Sequence, residues 1–129
     1  MATTKELERR GYKIVNAKLK SAGFHDLNGV VVVSCELEFE AGGGGFGSGG
    51  CGYYCPSKLE FRGTSYGMAA MLWIMAVAGV DQSEEVGGQY IRVAIEESKD
   101  YFVYIGHIMK DIWFNFQDLR KLNEEHKED

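Results

Sequence analysis

Three groups of residues in this chain could do chemistry. The first is Gly45-Phe46-Gly47-Ser48-Gly49-Gly50, which formally spells G-x-G-x-x-G. Backbone N–H groups in such a tract can cradle an anion, and Phe46 would offer a stacking face beside Gly45 and Gly47. The second is Ile105 to Phe116, IGHIMKDIWFNF, where His107, Lys110, Asp111 and Trp113 crowd the end of a strand. Trp113 there could stack a base and Lys110 could meet a phosphate. The third is a pair of separated cations, Arg62 and Arg92, offered as phosphate contacts beside Lys110, with Arg92 on the strand neighbouring the Ile105–Phe116 segment.

Other chemistries find less in the chain. The dinucleotide fingerprint needs a strand before the glycines and a helix directly after them. Here the tract runs into an aromatic, proline-containing segment, and no Gly-Lys-Ser or Gly-Lys-Thr occurs to make a Walker loop. Cys35, Cys51 and Cys55 do not combine with His25, His107 and His126 at the tight spacings of a zinc site, so no metal is expected. Neither Cys51 nor Cys55 sits at a helix start that would activate a thiol, and no serine elbow occurs. Glu36, Glu38 and Glu40 alternate, as an exposed strand face does. No catalytic group and no cofactor is expected.

The elements that must position these groups follow from periodicity. KIVNAKLK (13–20) and VVVVSCELEFE (30–40) alternate on either side of Asn28-Gly29, a hairpin signal. Residues 42–52 are glycine at eight of eleven positions and are expected as a loop. Residues 53–62 then give a third strand beginning near Pro56, with Leu59 and Phe61 alternating with Lys58, Glu60 and Arg62. Thr64 or Ser65 caps a helix over 66–78 that Gly79 stops. QYIRVAIEE and YFVYIGHI pair across an ESKD turn, and Asn115 caps a last helix. The order β-β-β-α-β-β-α describes one α+β domain over 1–129: a mainly antiparallel sheet with helices packed on one face. Residues 1–12 and 123–129 are expected to fray.

Composition bounds the partners. An apolar fraction of 45% and a charged fraction of 26% are those of a globular chain. Net charge is −5, which argues against a polymeric nucleic acid but leaves a small anion open. The longest apolar run, Met68 to Val80, is too short to cross a bilayer, so no membrane is expected. The opening MATTKELERR has no apolar stretch, and three cysteines is an odd count, so the cytosol is the expected address. The 66–78 helix is apolar almost all round, with Met68, Leu72 and Met75 on one stripe and Met71, Ile74 and Ala78 on the next. One sheet face cannot cover it, which predicts a homo-oligomer, a dimer or an assembly of dimers, built through that helix.

Several of these segments carry a resemblance. The Gly-Phe-Gly element after a long second strand is followed in order by Ala78-Gly79-Val80-Asp81, Gly88-Gln89-Tyr90-Ile91-Arg92-Val93, Ile105-Gly106-His107-Ile108 and Asp111-Ile112-Trp113-Phe114. Over residues 13–118 the chain resembles short phage-encoded proteins, the Thoeris anti-defence sponge family. Two departures stand out: the glycine tract is longer, and Ile112 occupies a place where a cation would serve. The resemblance implies a non-enzymatic protein in the cytoplasm of an infected bacterial host. Such a protein would sequester a cyclic nucleotide immune signal, a cyclic ADP-ribose isomer or a cyclic oligonucleotide, without cleaving it. On chemistry within the matching segments, the expected ligand contacts are Gly45, Phe46, Gly47, Arg62, Arg92, His107, Lys110 and Trp113. The alternative is an acidic inhibitor that uses the Glu36–Glu40 row to block a host nuclease or immune protein.

Overall fold

A computed structural model describes residues 2–39, 42–96 and 101–125. The expected ESKD turn at 97–100, Glu40 and the tail 126–129 with His126 lie outside the described residues. The elements are α1 (Thr4–Arg9), β1 (Tyr12–Leu27), β2 (Val30–Phe39), β3 (Gly42–Cys55) and β4 (Glu60–Gly63), then α2 (Ser65–Ala78), β5 (Gln89–Glu96), β6 (Tyr101–His107), β7 (Trp113–Phe114) and α3 (Phe116–Glu125). The fold is α+β. Its seven strands form one antiparallel sheet in the order β4-β3-β2-β1-β5-β6-β7.

β1 is the long central strand. It pairs with β5 over Tyr12–Leu19 and with β2 over Lys18–Leu27, and its register against β2 shifts by one residue between Leu19 and Ser21. The hairpin with β2 turns at Asn28 and Gly29, both at positive φ, which the Asn-Gly step supplies at little cost. Ala17, Leu19, Val33, Cys35, Leu37, Ile91 and Val93 form the buried sheet face. α2 lies on it through Tyr66, Ala70, Met71, Ile74 and Val77. Thr64 accepts the Gly67 N–H at 3.1 Å to start that helix. Gly79, at φ 77°, ends it: its N–H reaches the Ala76 carbonyl and that of Val80 reaches Met75. Asn115 caps α3 by accepting the Asp118 N–H at 3.0 Å. No described helix is long and apolar enough to cross a membrane.

Three expectations are corrected. The glycine tract is not a loop but most of a 14-residue strand. A Cβ at Gly43 or Gly45 would stand 3.1 Å from a β2 carbonyl oxygen, and one at Gly47 only 2.5 Å from that of Val33. The glycines are therefore what lets β3 curl so closely onto β2. The expected third strand is split: Tyr53–Cys55 finish β3, Pro56 opens a turn, and only Glu60–Gly63 form β4. Leu59 and Phe61 point outward, 80% and 64% exposed. The N-terminal dozen is not all frayed, because α1 buries Leu7 completely. It packs on the far face of the sheet with Ala94, Tyr104 and Trp113.

Candidate functional site

β5 and β6 pair antiparallel, which sets Arg92 opposite Gly106 and Ile91 opposite His107. Beyond His107 the chain turns and returns as β7, with the His107 N–H donating to the Ile112 carbonyl at 3.0 Å. The turn is held from two sides. The His107 Nδ1 accepts the N–H groups of Met109 and Lys110, at 3.0 and 2.9 Å. Arg92 donates through Nε to the His107 carbonyl at 2.7 Å and through its terminal nitrogen to that of Lys110 at 2.9 Å.

Within the motif, Trp113 and Phe114 face inward. Trp113 is buried, and its ring fills the space that the missing Gly106 side chain leaves. The Arg92 guanidinium lies over that ring, 4.9 Å from its centre. The indole N–H donates to the Thr4 hydroxyl at 2.9 Å. Asp111 then accepts both the Thr4 hydroxyl and the Thr4 N–H, each at 2.7 Å. Those two bonds hold the Asp111 carboxyl below the usual carboxylate range. The Asp-x-Trp-Phe element thus pins α1 to the sheet, and the expected stacking surface of Trp113 is already taken by Arg92. Aromatic and cationic residues at this spacing suggested a ligand platform; here they satisfy one another.

What remains outward is a cleft of about 530 Å³. It is lined by Met75, Ala76, Gly79 and Val80 from the end of α2, by Asp81 and Glu85 after it, and by His107, Lys110 and Ile112 from the turn. That volume suits a small organic ligand. Its lining is mixed: Met75, Val80 and Ile112 supply apolar surface, the turn supplies two nitrogenous side chains, and the segment after α2 supplies two carboxylates. Burial, then the cations Lys110 and Arg92, push the His107 pKa down and favour the neutral ring.

Of the eight expected contacts, His107 and Lys110 therefore line the cleft, while Arg92 and Trp113 stand behind it and hold its wall. The other four lie elsewhere. Phe46 packs against Phe116, ring centres 5.1 Å apart. Gly45 and Gly47 pair with Glu36 and Ser34 in the β2 ladder, so they make no anion nest. Arg62 is on β4, at the opposite edge of the sheet from β7, and it pairs with Glu60 at 2.7 Å. Sequence reasoning did not single out Asp81 and Glu85, although Asp81 closes the Ala-Gly-Val-Asp segment. Thr4, with its partners more than a hundred residues away, carried no local signal.

Other polar groups lie outside the cleft. Arg120 donates to the Ser48 hydroxyl at 2.8 Å and lies over the Tyr66 ring at 4.7 Å, fastening α3 to the junction of β3 and α2. Glu36 and Glu38 are exposed on strand β2, and Lys18 stands directly opposite Glu38, which dilutes the acidic row. Burial pushes the Cys35 thiol up to about 12, far from a thiolate. Among the described residues no group of three or more His, Cys, Asp or Glu is placed to hold a metal ion. No protein-family model, no curated protein and no solved structure matches the chain.

Proposed function

We propose that the chain is a non-catalytic binding protein that sequesters a small cyclic nucleotide signal in this cleft, as a phage anti-defence protein acting in the cytoplasm of its bacterial host. The observation that carries the reading is the division of labour around the turn. Arg92, Asp111 and Trp113 are spent on holding it, while His107 and Lys110 are left at the cleft with an apolar floor of Met75, Val80 and Ile112. A phosphate belongs beside Lys110 and His107, away from Asp81 and Glu85, whose charge repels it. A base or ribose lies over the apolar floor, where those carboxylates accept its N–H or O–H groups. The resemblance of the Ile-Gly-His and Asp-x-Trp-Phe segments to the anti-defence sponges supports the choice of ligand class.

The assembly is part of the proposal. Met68 and Leu72 are 61% and 55% exposed along the outer stripe of α2, which runs on through Ala76 and Gly79 to the cleft. Two copies meeting along that stripe would cover it and place the clefts beside the contact. Recovery of the ligand tests sequestration against turnover. The chain is incubated with a cyclic dinucleotide, heat-denatured, and the supernatant chromatographed. Intact nucleotide is expected; a new product would identify a hydrolase instead.

A further inference from the structure

We infer that His107 divides its ring between two tasks, Nδ1 holding the turn and Nε2–H serving as the neutral donor that the cleft offers to a ligand phosphodiester. This rests on the cleft's being the binding site. Two backbone N–H groups, those of Met109 and Lys110, converge on Nδ1. A nitrogen that accepts two hydrogen bonds carries no proton, so the proton of the neutral ring is on Nε2. Among the described residues Nε2 has no hydrogen-bond partner. It lies against Gly79, whose Cβ position is 3.0 Å away. Any other residue there would crowd Nε2 and strain a backbone held at φ 77°. Gly79 therefore both ends α2 and keeps that nitrogen uncovered toward the cleft.

Burial and two cations oppose protonation of the ring. Lys110 and Arg92 act on it from the turn and from β5. The last turn of α2 that packs beside it, Met75 to Ala78, carries no titratable group. Asp111, next on the turn, is engaged by Thr4, and the cleft carboxylates Asp81 and Glu85 lie on the segment after α2. Protonation would put a hydrogen on Nδ1 where two N–H groups already point, so the turn that carries Lys110 and Ile112 would open. An ordinary histidine anion site gains affinity as it takes up a proton. This one loses it.

Asparagine and glutamine separate the two tasks. The Asn side-chain oxygen falls near the place of Nδ1 and can still accept from the turn; the Gln amide nitrogen falls near Nε2 and can still donate to a ligand. In His107→Asn the Met109 and Lys110 amides keep their protection from hydrogen exchange while affinity for the probe falls about tenfold or more, the worth of a hydrogen bond to a charged acceptor. In His107→Gln those two amides lose protection, and affinity falls as well because the turn that carries Lys110 opens. The probe is whichever of cyclic di-AMP, cyclic di-GMP and cyclic ADP-ribose the wild type binds best. Its dissociation constant in the wild type rises, and never falls, as pH is lowered from about 8 to about 5. Tighter binding in acid, His107→Asn within twofold of wild type, or a ¹⁵N spectrum of the free protein with the proton on Nδ1 would each overturn the inference. Where none of the three binds, the best-bound cyclic trinucleotide or other cyclic ADP-ribose isomer replaces them, and a wild type that binds no member of these classes contradicts the cyclic nucleotide reading itself and takes the ligand task with it; the ¹⁵N spectrum and amide exchange judge the turn task without ligand.

Discussion

The Arg92 guanidinium lies 4.9 Å from the centre of the Trp113 ring while holding the carbonyls of His107 and Lys110. One cation thus joins the far-face core to the wall of the cleft. A cation over an aromatic ring contributes about 0.5–2 kcal/mol depending on its exposure, and each charged hydrogen bond about 1.5–3 kcal/mol at most.

Arg92→Ala removes both. The expected loss is about 2–4 kcal/mol in unfolding free energy, with faster amide exchange at Met109 and Lys110. Arg92→Lys recovers only part of it, because an ammonium cannot fork between two carbonyls and lie flat on a ring. Denaturant titration checks both, and an Arg92→Ala chain as stable as wild type would break the link.

Asp111 gives the chain an acid sensitivity. Its carboxyl is held below the usual range by the Thr4 hydroxyl and N–H. A depressed carboxyl contributes stability above its unfolded value near 4, and that contribution is lost as pH falls through the folded value. Wild type should therefore exceed Asp111→Asn in melting temperature at neutral pH, and the gap should close below about pH 4. A gap unchanged by pH would show that the charge is irrelevant to the latch.

The glycine strand makes a sharp comparison. Gly47→Ala drives a methyl toward the Val33 carbonyl oxygen, where only 2.5 Å is free, and should cost about 2 kcal/mol or more. Gly23 has nothing within 4 Å of its Cβ position, so Gly23→Ala should change stability by about 0.5 kcal/mol at most. Thermal or urea unfolding of the pair measures the difference, and equal costs would refute the close approach of β3 to β2.

The assembly is tested at Leu72 rather than Trp73. Trp73 stacks on Phe114 at 6.2 Å, so changing it also disturbs the core. Leu72→Glu alters a side chain that is 55% exposed. Light scattering at micromolar concentration should give wild type at least twice the 14.4 kDa of one chain and the variant a single chain. A wild type of single-chain mass contradicts the α2 contact.

Local signals were legible because their causes are local. The Asn28-Gly29 hairpin, the Thr64 cap, the Gly79 stop and the Asn115 cap each depend on residues within a few positions, and the alternation of β1, β2 and β5 depends on which face is wet. The strand at 42–55 was illegible because glycine carries no strand preference; what makes it a strand is the ladder to β2. Trp113 misled for a related reason. A tryptophan near cations reads as a platform for a base, and nothing in the sequence tells that Arg92, twenty-one positions earlier, already covers the ring. Half of the expected contacts, the glycine tract and Arg62, lie away from the cleft, whereas His107 and Lys110, read from their place at a strand end, line it.

Calorimetric titration of the purified chain with cyclic ADP-ribose isomers and cyclic di- and trinucleotides tests the central claim most directly, with Lys110→Glu run beside it. At least one of them is expected to bind more tightly than about 10 μM, near −7 kcal/mol, and Lys110→Glu, at an exposed position, is expected to abolish that binding without changing stability. No member binding more tightly than about 10 μM, or equal binding by the Lys110→Glu variant, would contradict the central claim.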